Sequence, residues 1–287
     1  MSSERSIAIL SPGLLGGSLI KAILQRMPGM EVRVWARREE AVLEVRREFS
    51  AVIASTNMAE ALQGASLAVL CMPVQFMPEI ARQMTACDLA DDLIVTDVGS
   101  VKGAVVSGLE PIFAKARAVF IGSHPMAGSQ LTGIANASAD LFHRAACLLT
   151  PTPASSRRLV ERLKSFWLRL GCRVLEMTPQ AHDRCVARVS HLPHAMAVLT
   201  TLAALHDDTS VLDSAAGGFR DTTRVAGGDP AMWAGIFLNN RDEVIDALED
   251  AAESMRELVE MLRRMDEEAL RRFLARAKAL RDLLPAV

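Results

Sequence analysis

Ile7–Leu10, IAIL, runs directly into Ser11–Leu19, SPGLLGGSL. A short apolar run, a glycine-rich turn and an apolar helix in succession mark the first junction of a βαβ unit, and they put Gly13 and Gly16 at the second and third glycine positions of the GxGxxG pattern. Gly13 lets the backbone approach a pyrophosphate and Gly16 lets the helix pack closely on the strand. The free amides where the helix starts, at Leu14 and Leu15, then face the phosphates. The first glycine position holds Ser11, so a turn normally left to glycine must accept a side chain, with Pro12 fixing the next φ. An incidental glycine-rich turn is the competing explanation. The setting between strand and helix favours a dinucleotide.

The next strand-like run, Glu31–Trp35, ends about twenty residues downstream, where NAD-binding units carry an acidic residue for the ribose 2′-hydroxyl. Ala36 stands there instead, followed by Arg37 and Arg38. A guanidinium holds a phosphate bidentately, and the missing carboxylate removes a repulsion, so these residues favour NADP, with NAD left open. Two solvated arginines opening a helix are the alternative.

Further apolar runs at Leu67–Cys71, Leu93–Asp97, Val119–Ile121 and Ala145–Leu149 alternate with segments of helical period, which predicts a parallel sheet with crossover helices as far as Met177. Beyond Pro179 the strand signals stop. The expected fold is an α/β Rossmann-type dinucleotide-binding domain over residues 1–177, followed by an all-α domain over residues 178–287. The stretch from Asn240 to Leu284 is long for one globular helix, and it reads either as one or as two broken near Met265. Its apolar stripe is core, a dimer interface, or both, and the frequency of symmetric dimers favours a homodimer.

The chain has 287 residues, half of them hydrophobic, with 32 basic and 34 acidic side chains and a net charge of −2. That suits two ordinary globular domains and offers no basic footprint for nucleic acid. Five scattered cysteines form neither a zinc spacing nor a disulfide framework. No leader pattern opens the chain and no run approaches the ~18 apolar residues of a membrane span. A cytoplasmic enzyme without membrane attachment is expected.

Four further segments carry chemistry. In TDVGSVKG, Thr96–Gly103, Ser100 follows the end of a strand, where open α/β sheets bind ligands; an Asp capping a helix would be the plain alternative. In GSHPMAGS, Gly122–Ser129, His124 sits among small residues in a setting that looks mobile, and imidazole suits proton removal near neutral pH. SHLPHAMA, Ser190–Ala197, spaces His191 and His194 three apart on one helix face despite Pro193, with no third ligand to complete a metal site. GGFRDTTRVAGGDPAMW, Gly217–Trp233, concentrates charge at Arg220, Asp221 and Arg224. Arg224 either clamps a substrate carboxylate or pairs with Asp221.

These segments, together with HDRCVARVSHLPHA and GGFRDTTRVAGGDPAMWAGIFLNN, resemble the prephenate/arogenate (cyclohexadienyl) dehydrogenase family in order and across nearly the whole chain. The resemblance implies a Rossmann-type domain and a helical domain that dimerises. It implies an oxidative decarboxylation in tyrosine biosynthesis, with His124 taking the ring hydroxyl proton and Ser100 beside it. Arg224 then pairs with a substrate carboxylate. His194 and His191, Ser129 and the wall residue Trp233 complete the substrate set, with Trp233 given to either subunit's site. Pro73 joins the cofactor set. Gln130 replaces the glutamate that some members carry, and no segment is expected for an appended regulatory or mutase domain.

Two alternatives stand beside this. A β-hydroxyacid type of NADP-dependent oxidoreductase would be expected to place a catalytic lysine on the first helix of the second domain, and Pro179–Leu205 has none. A non-catalytic NADP sensor would be expected to have lost His124 or Arg224, and both are present. The choice of prephenate or arogenate, and feedback by tyrosine, are not readable from these residues.

Overall fold

The computed structural model describes residues 6–128, 131–206 and 208–284. The chain opens with β1 (Ser6–Leu10), α1 (Leu14–Arg26), β2 (Glu31–Trp35), α2 (Glu39–Glu48), β3 (Ile53–Ser55), α3 (Met58–Leu62), β4 (Leu67–Leu70), α4 (Met77–Thr85), β5 (Leu93–Asp97), α5 (Gly103–Phe113) and β6 (Ala118–Phe120). The six strands form one parallel sheet in the order β3-β2-β1-β4-β5-β6. The order reverses at β1, so the crevice beyond the carboxyl ends of β1 and β4 is the topological switch point.

Every residue of β1 is buried. Alternate side chains of a strand point to opposite faces, and β1 divides accordingly: Ile7 and Ile9 join a core with Leu19, Val34, Phe142 and Trp167, while Ala8 and Leu10 join another with Leu70, Met77, Leu109 and Phe113. Burial on both faces is why such strands read as unbroken apolar runs.

The parallel sheet ends sooner than the run at Ala145–Leu149 suggests. After β6 come β7 (Gly122–Pro125), β8 (Ala146–Thr150), α6 (Arg157–Arg169) and β9 (Arg173–Glu176), and these three strands form a second sheet. In it β7 pairs antiparallel with β8, and β8 pairs parallel with β9. A single residue, Ile121, separates β6 from β7. That link is far too short for the crossover a parallel neighbour requires.

No strand follows Glu176 among the described residues. The helices are α7 (Pro179–Val186), α8 (Leu192–Leu205), α9 (Gly217–Thr223), α10 (Pro230–Asn239), α11 (Arg241–Arg263) and α12 (Glu267–Arg281). Thr178 and Asp229 cap α7 and α10 through their side chains, each just ahead of a proline at the first helical position. Between α7 and α8, Ala187–His191 forms a π-helical turn. Pro193 would meet the carbonyl of Val189 in a continuous α-helix and cannot donate to it, and the wider turn fits that constraint.

The described residues up to Asn240 form one compact unit and those from Arg241 onward a second. In the first, Ile236 of α10 enters the core beside Leu109 and Phe113, with Trp233 and Phe237 packed against it. In the second, α11 and α12 are separated near Met265, whose φ of 54° breaks the helical path. No described helix is long and apolar enough to cross a membrane.

Candidate active site

The nucleotide end is built from backbone. Ser11 lies at the end of β1 with φ of 75°, the left-handed conformation for which this position usually keeps a glycine. Its amide donates to the Trp35 carbonyl at 2.9 Å and its own carbonyl accepts from Gly13 at 3.0 Å. A Cβ on Gly16 would stand 2.6 Å from the Ser11 carbonyl oxygen and 3.3 Å from Ile9, so only glycine lets α1 approach the strand this closely. A Cβ on Gly13 would meet nothing within 4 Å, and no side chain caps the start of α1. Uncovered amides of Leu14, Leu15 and Gly16 at a helix N-terminus beside an open glycine fit a pyrophosphate. Ala36 is buried, Arg37 and Arg38 are exposed, and neither arginine has an ion-pair partner among the described residues. Pro73 lies just past β4, across the switch point from Ser11.

The other end is built from side chains. Asp97, the last residue of β5, and Lys102 form a fully buried ion pair at 2.6 Å. The Lys102 ammonium also donates to the carbonyls of Gly99 and Val101 at 2.7 and 3.0 Å, bracketing Ser100. Asp97 accepts from the amides of Gly99 at 2.9 Å and Ser123 at 3.2 Å, and the Ser123 hydroxyl donates to the Asp97 carbonyl at 2.6 Å. One carboxylate therefore ties the Ser100 loop to the strand that carries His124.

His124 is not in a mobile loop, as its glycine-rich surroundings suggest. It is buried within β7, opposite Leu148. Its Nδ1 lies 2.9 Å from Nε2 of His182, and Nδ1 of His182 lies 2.7 Å from Oδ1 of Asp183. Asp183 in turn accepts from the amides of Lys102 at 2.8 Å and Gly103 at 2.7 Å, capping α5 from a distant part of the chain. Burial holds His124 neutral, well below its ordinary pKa, and the charge of Lys102 and the rings of His182 and His191 add to this. Burial also lowers His182, against the opposing pull of Asp183. In Asp183 burial pushes upward, but the hydrogen bonds from His182, Lys102 and Gly103 together keep the carboxyl below its usual range. The His182–Asp183 contact is thus a charge-assisted hydrogen bond from a neutral ring.

His191 and His194 converge on Trp233. The His194 ring stacks on the indole, centroids 3.5 Å apart, and His191 meets it edge-on at 6.2 Å. Asn240 donates through Nδ2 to the Asp183 carbonyl at 2.9 Å and faces Nδ1 of His191 at 3.2 Å. Burial takes His191 down to about 4 and lowers His194 as well. Nε2 of His191 and Nδ1 of His194 are buried without a hydrogen-bond partner among the described residues. Unpaired buried polar atoms cost about 1–3 kcal/mol each, a cost a polar ligand would remove. Arg224 is exposed at the start of the turn Arg224–Gly227, whose Val225 backbone bonds His194. Ser129 and Gln130 lie outside the described residues. No group of three or more His, Cys, Asp or Glu is placed to hold a metal among the described residues.

Residue-level reasoning did not single out Asp97, Lys102, His182, Asp183 or Asn240. Asp97 and Lys102 stand inside TDVGSVKG, and a charge pair abutting an apolar strand is the signal that could have exposed them.

The family model described as the prephenate dehydrogenase nucleotide-binding domain matches residues 22–176, and the prephenate dehydrogenase dimerization domain matches residues 178–276. The prephenate dehydrogenase of Bacillus subtilis (strain 168) is 32% identical over 284 residues, 98% of this chain and 76% of the relative. The crystal structure of prephenate dehydrogenase from Aquifex aeolicus, in complex with hydroxyphenyl propionate and NAD+, superimposes with a TM-score of 0.89 at 31% identity, covering 97% of this chain and 98% of that one. Synechocystis arogenate dehydrogenase follows at a TM-score of 0.83 and 29% identity, covering 97% and 99%. A Rossmann-type sheet with an open phosphate turn, a buried neutral histidine cluster and a helical dimerization domain here share one chain, which belongs to the prephenate dehydrogenase family of nicotinamide-dinucleotide-dependent, homodimeric oxidoreductases.

Proposed function

We propose that this chain oxidises and decarboxylates a hydroxycyclohexadienyl acid, prephenate or arogenate, on the way to tyrosine, with His124 as the base. The observation that carries the assignment is a neutral, buried imidazole tied through Ser123 and Asp97 to the Ser100 loop beyond β5. The bound dinucleotide supplies the hydride acceptor. His124 takes the proton of the ring hydroxyl while the hydrogen on the same carbon leaves as hydride, which makes that carbon a carbonyl. The bond to the ring carboxylate then breaks, carbon dioxide departs, and its electron pair aromatises the ring and returns the carbonyl oxygen to phenolate. That oxygen takes the proton back from His124. Aromatisation drives the second step, so the residues need supply orientation, one base and charge complementarity.

Ser100 orients the hydroxyl beside His124. Arg224 pairs with a substrate carboxylate, and His191, His194 and Trp233 line the pocket; Ser129, outside the described residues, is proposed as a further substrate contact. Residues 1–177 serve the dinucleotide and 178–287 the substrate and the dimer. Ser11, Gly13, Leu14, Leu15, Gly16 and Pro73 surround the dinucleotide, and Arg37 and Arg38 read a 2′-phosphate, so NADP is the preferred cofactor. NAD is the second reading, favoured by the NAD+ in the Aquifex structure. All five cysteines are free thiols, which supports a cytoplasmic location.

The test is to assay purified protein with prephenate and arogenate, each against NADP and NAD. Dinucleotide reduction matched by carbon dioxide release is expected with at least one acid, faster with NADP. Reduction without carbon dioxide, or no turnover of either acid, would reject the assignment.

A further inference from the structure

We propose that His182 and Asp183 are positioning residues that fix the tautomer of His124, leaving its Nε2 bare to receive the substrate proton. The inference rests on the assignment of His124 as base, and the bonding roles leave little freedom. Asp183 as a carboxylate can only accept, and it already accepts from two backbone amides of α5. Nδ1 of His182, 2.7 Å from Oδ1, must therefore carry a hydrogen. A neutral imidazole has one N–H, so Nε2 of His182 is a lone pair. That lone pair stands 2.9 Å from Nδ1 of His124, which must then be the donor. The one hydrogen of His124 is thereby placed on Nδ1, and Nε2 becomes the acceptor.

The side chains that act electrically on the His124 ring are Lys102, His182 and His191. Lys102 is neutralised by Asp97, and His182 is backed by Asp183. When Nε2 takes the hydroxyl proton, the Nδ1 hydrogen stays where it is and its bond to His182 becomes charge-assisted. No proton need pass to His182. Asp183 is anchored at the start of α5, next to Lys102, so the relay is held by the same segment that holds the Ser100 loop.

Asp183 also reaches the second pair of histidines. Asn240 must turn its NH2 toward the Asp183 carbonyl, and the same nitrogen faces Nδ1 of His191. Nδ1 of His191 therefore accepts and its Nε2 carries the hydrogen. The two rings are set in opposite senses, His124 to accept at Nε2 and His191 to donate there.

The test joins spectroscopy with substitution. Nitrogen NMR of the homodimer, with histidines labelled and His124 assigned by its loss in His124→Asn, should show at neutral pH a protonated Nδ1 and an unprotonated Nε2. A protonated Nε2 overturns the relay whatever the mutants do. Replacing His182 by Met removes the acceptor and should lower kcat by about ten-fold or more with dinucleotide affinity unchanged, while His182→Gln, whose amide oxygen can accept in its place, should restore kcat to within about three-fold. Wild-type kcat in His182→Met, or equal loss in both variants, overturns the relay. If His124→Asn itself turns over normally, the base assignment falls; if that variant is inactive while His182→Met is not, the relay alone falls.

Discussion

The two ends of the site within the first compact unit follow opposite physical rules. Around Ser11 and Gly13 the groups proposed to recognise the dinucleotide are backbone amides fixed by turn geometry and left open, with the exposed Arg37 and Arg38 beyond them. Around His124 they are side chains in the interior, fixed by one another, with four histidines held neutral by burial. The first arrangement suits charge that arrives with a ligand. The second keeps its histidines uncharged, as the proposed base requires.

The largest effect should come from the buried end. His124→Asn keeps a polar group of similar size but removes the proposed base, and kcat should fall by about 10²–10⁴-fold in steady-state assays, with dinucleotide affinity unchanged. Because burial lowers the His124 pKa, the acid limb of kcat/KM should lie below 6.5. Stability should move the same way. Below pH 6.5 the unfolded chain binds protons that the folded histidines resist, so the melting temperature should fall as pH drops toward the His191 value of about 4. A flat melting profile over that range would refute the neutral cluster.

Second in size is the ion pair at the junction. Lys102→Met leaves Asp97 buried and uncompensated, a loss of about 3–5 kcal/mol in urea unfolding. Adding Asp97→Asn should recover part of that loss. A double variant less stable than Lys102→Met by the full cost of a second lesion would mean that the two residues act independently.

The same contrast explains what was legible in the sequence. Local geometry has a local signature: the spacing of Gly13 and Gly16 encodes a turn and a close approach, and β1, β2 and β5 follow from apolar runs. β7 carries no such mark, since Gly122, Ser123, His124 and Pro125 show neither strand period nor strand composition, and its pairing with β8 is set by residues more than twenty positions away. His182 is one polar residue in a helix, and only the fold brings it to His124. His191 and His194 were legible as neighbours. The stacking of His194 on Trp233 depends on where α10 packs.

At the exposed end, Arg37→Ala should raise the Michaelis constant for NADP by roughly ten- to a hundred-fold, the worth of a charge-assisted bond, and leave that for NAD nearly unchanged. Equal changes would reject the 2′-phosphate assignment. Gly13→Ala separates folding from binding in the same region. Its Cβ meets nothing in the protein, so the melting temperature should hold while dinucleotide affinity falls.

The smallest effect bears on the departure from the glycine pattern itself. Ser11 holds φ of 75° in a turn whose amide and carbonyl are both engaged, so the backbone cannot relax without losing the Trp35 and Gly13 bonds. A non-glycine residue in that conformation costs about 1–2 kcal/mol, and Ser11→Gly removes the cost while making the unfolded chain more flexible, which offsets part of the gain. The net expectation is a stabilisation of about 0.5–1 kcal/mol in urea unfolding with dinucleotide affinity preserved. If Ser11→Gly instead weakens dinucleotide binding while stabilising the fold, the serine hydroxyl is itself a ligand to the cofactor, and the turn from Ser11 to Gly16 uses a side chain where only backbone amides are proposed.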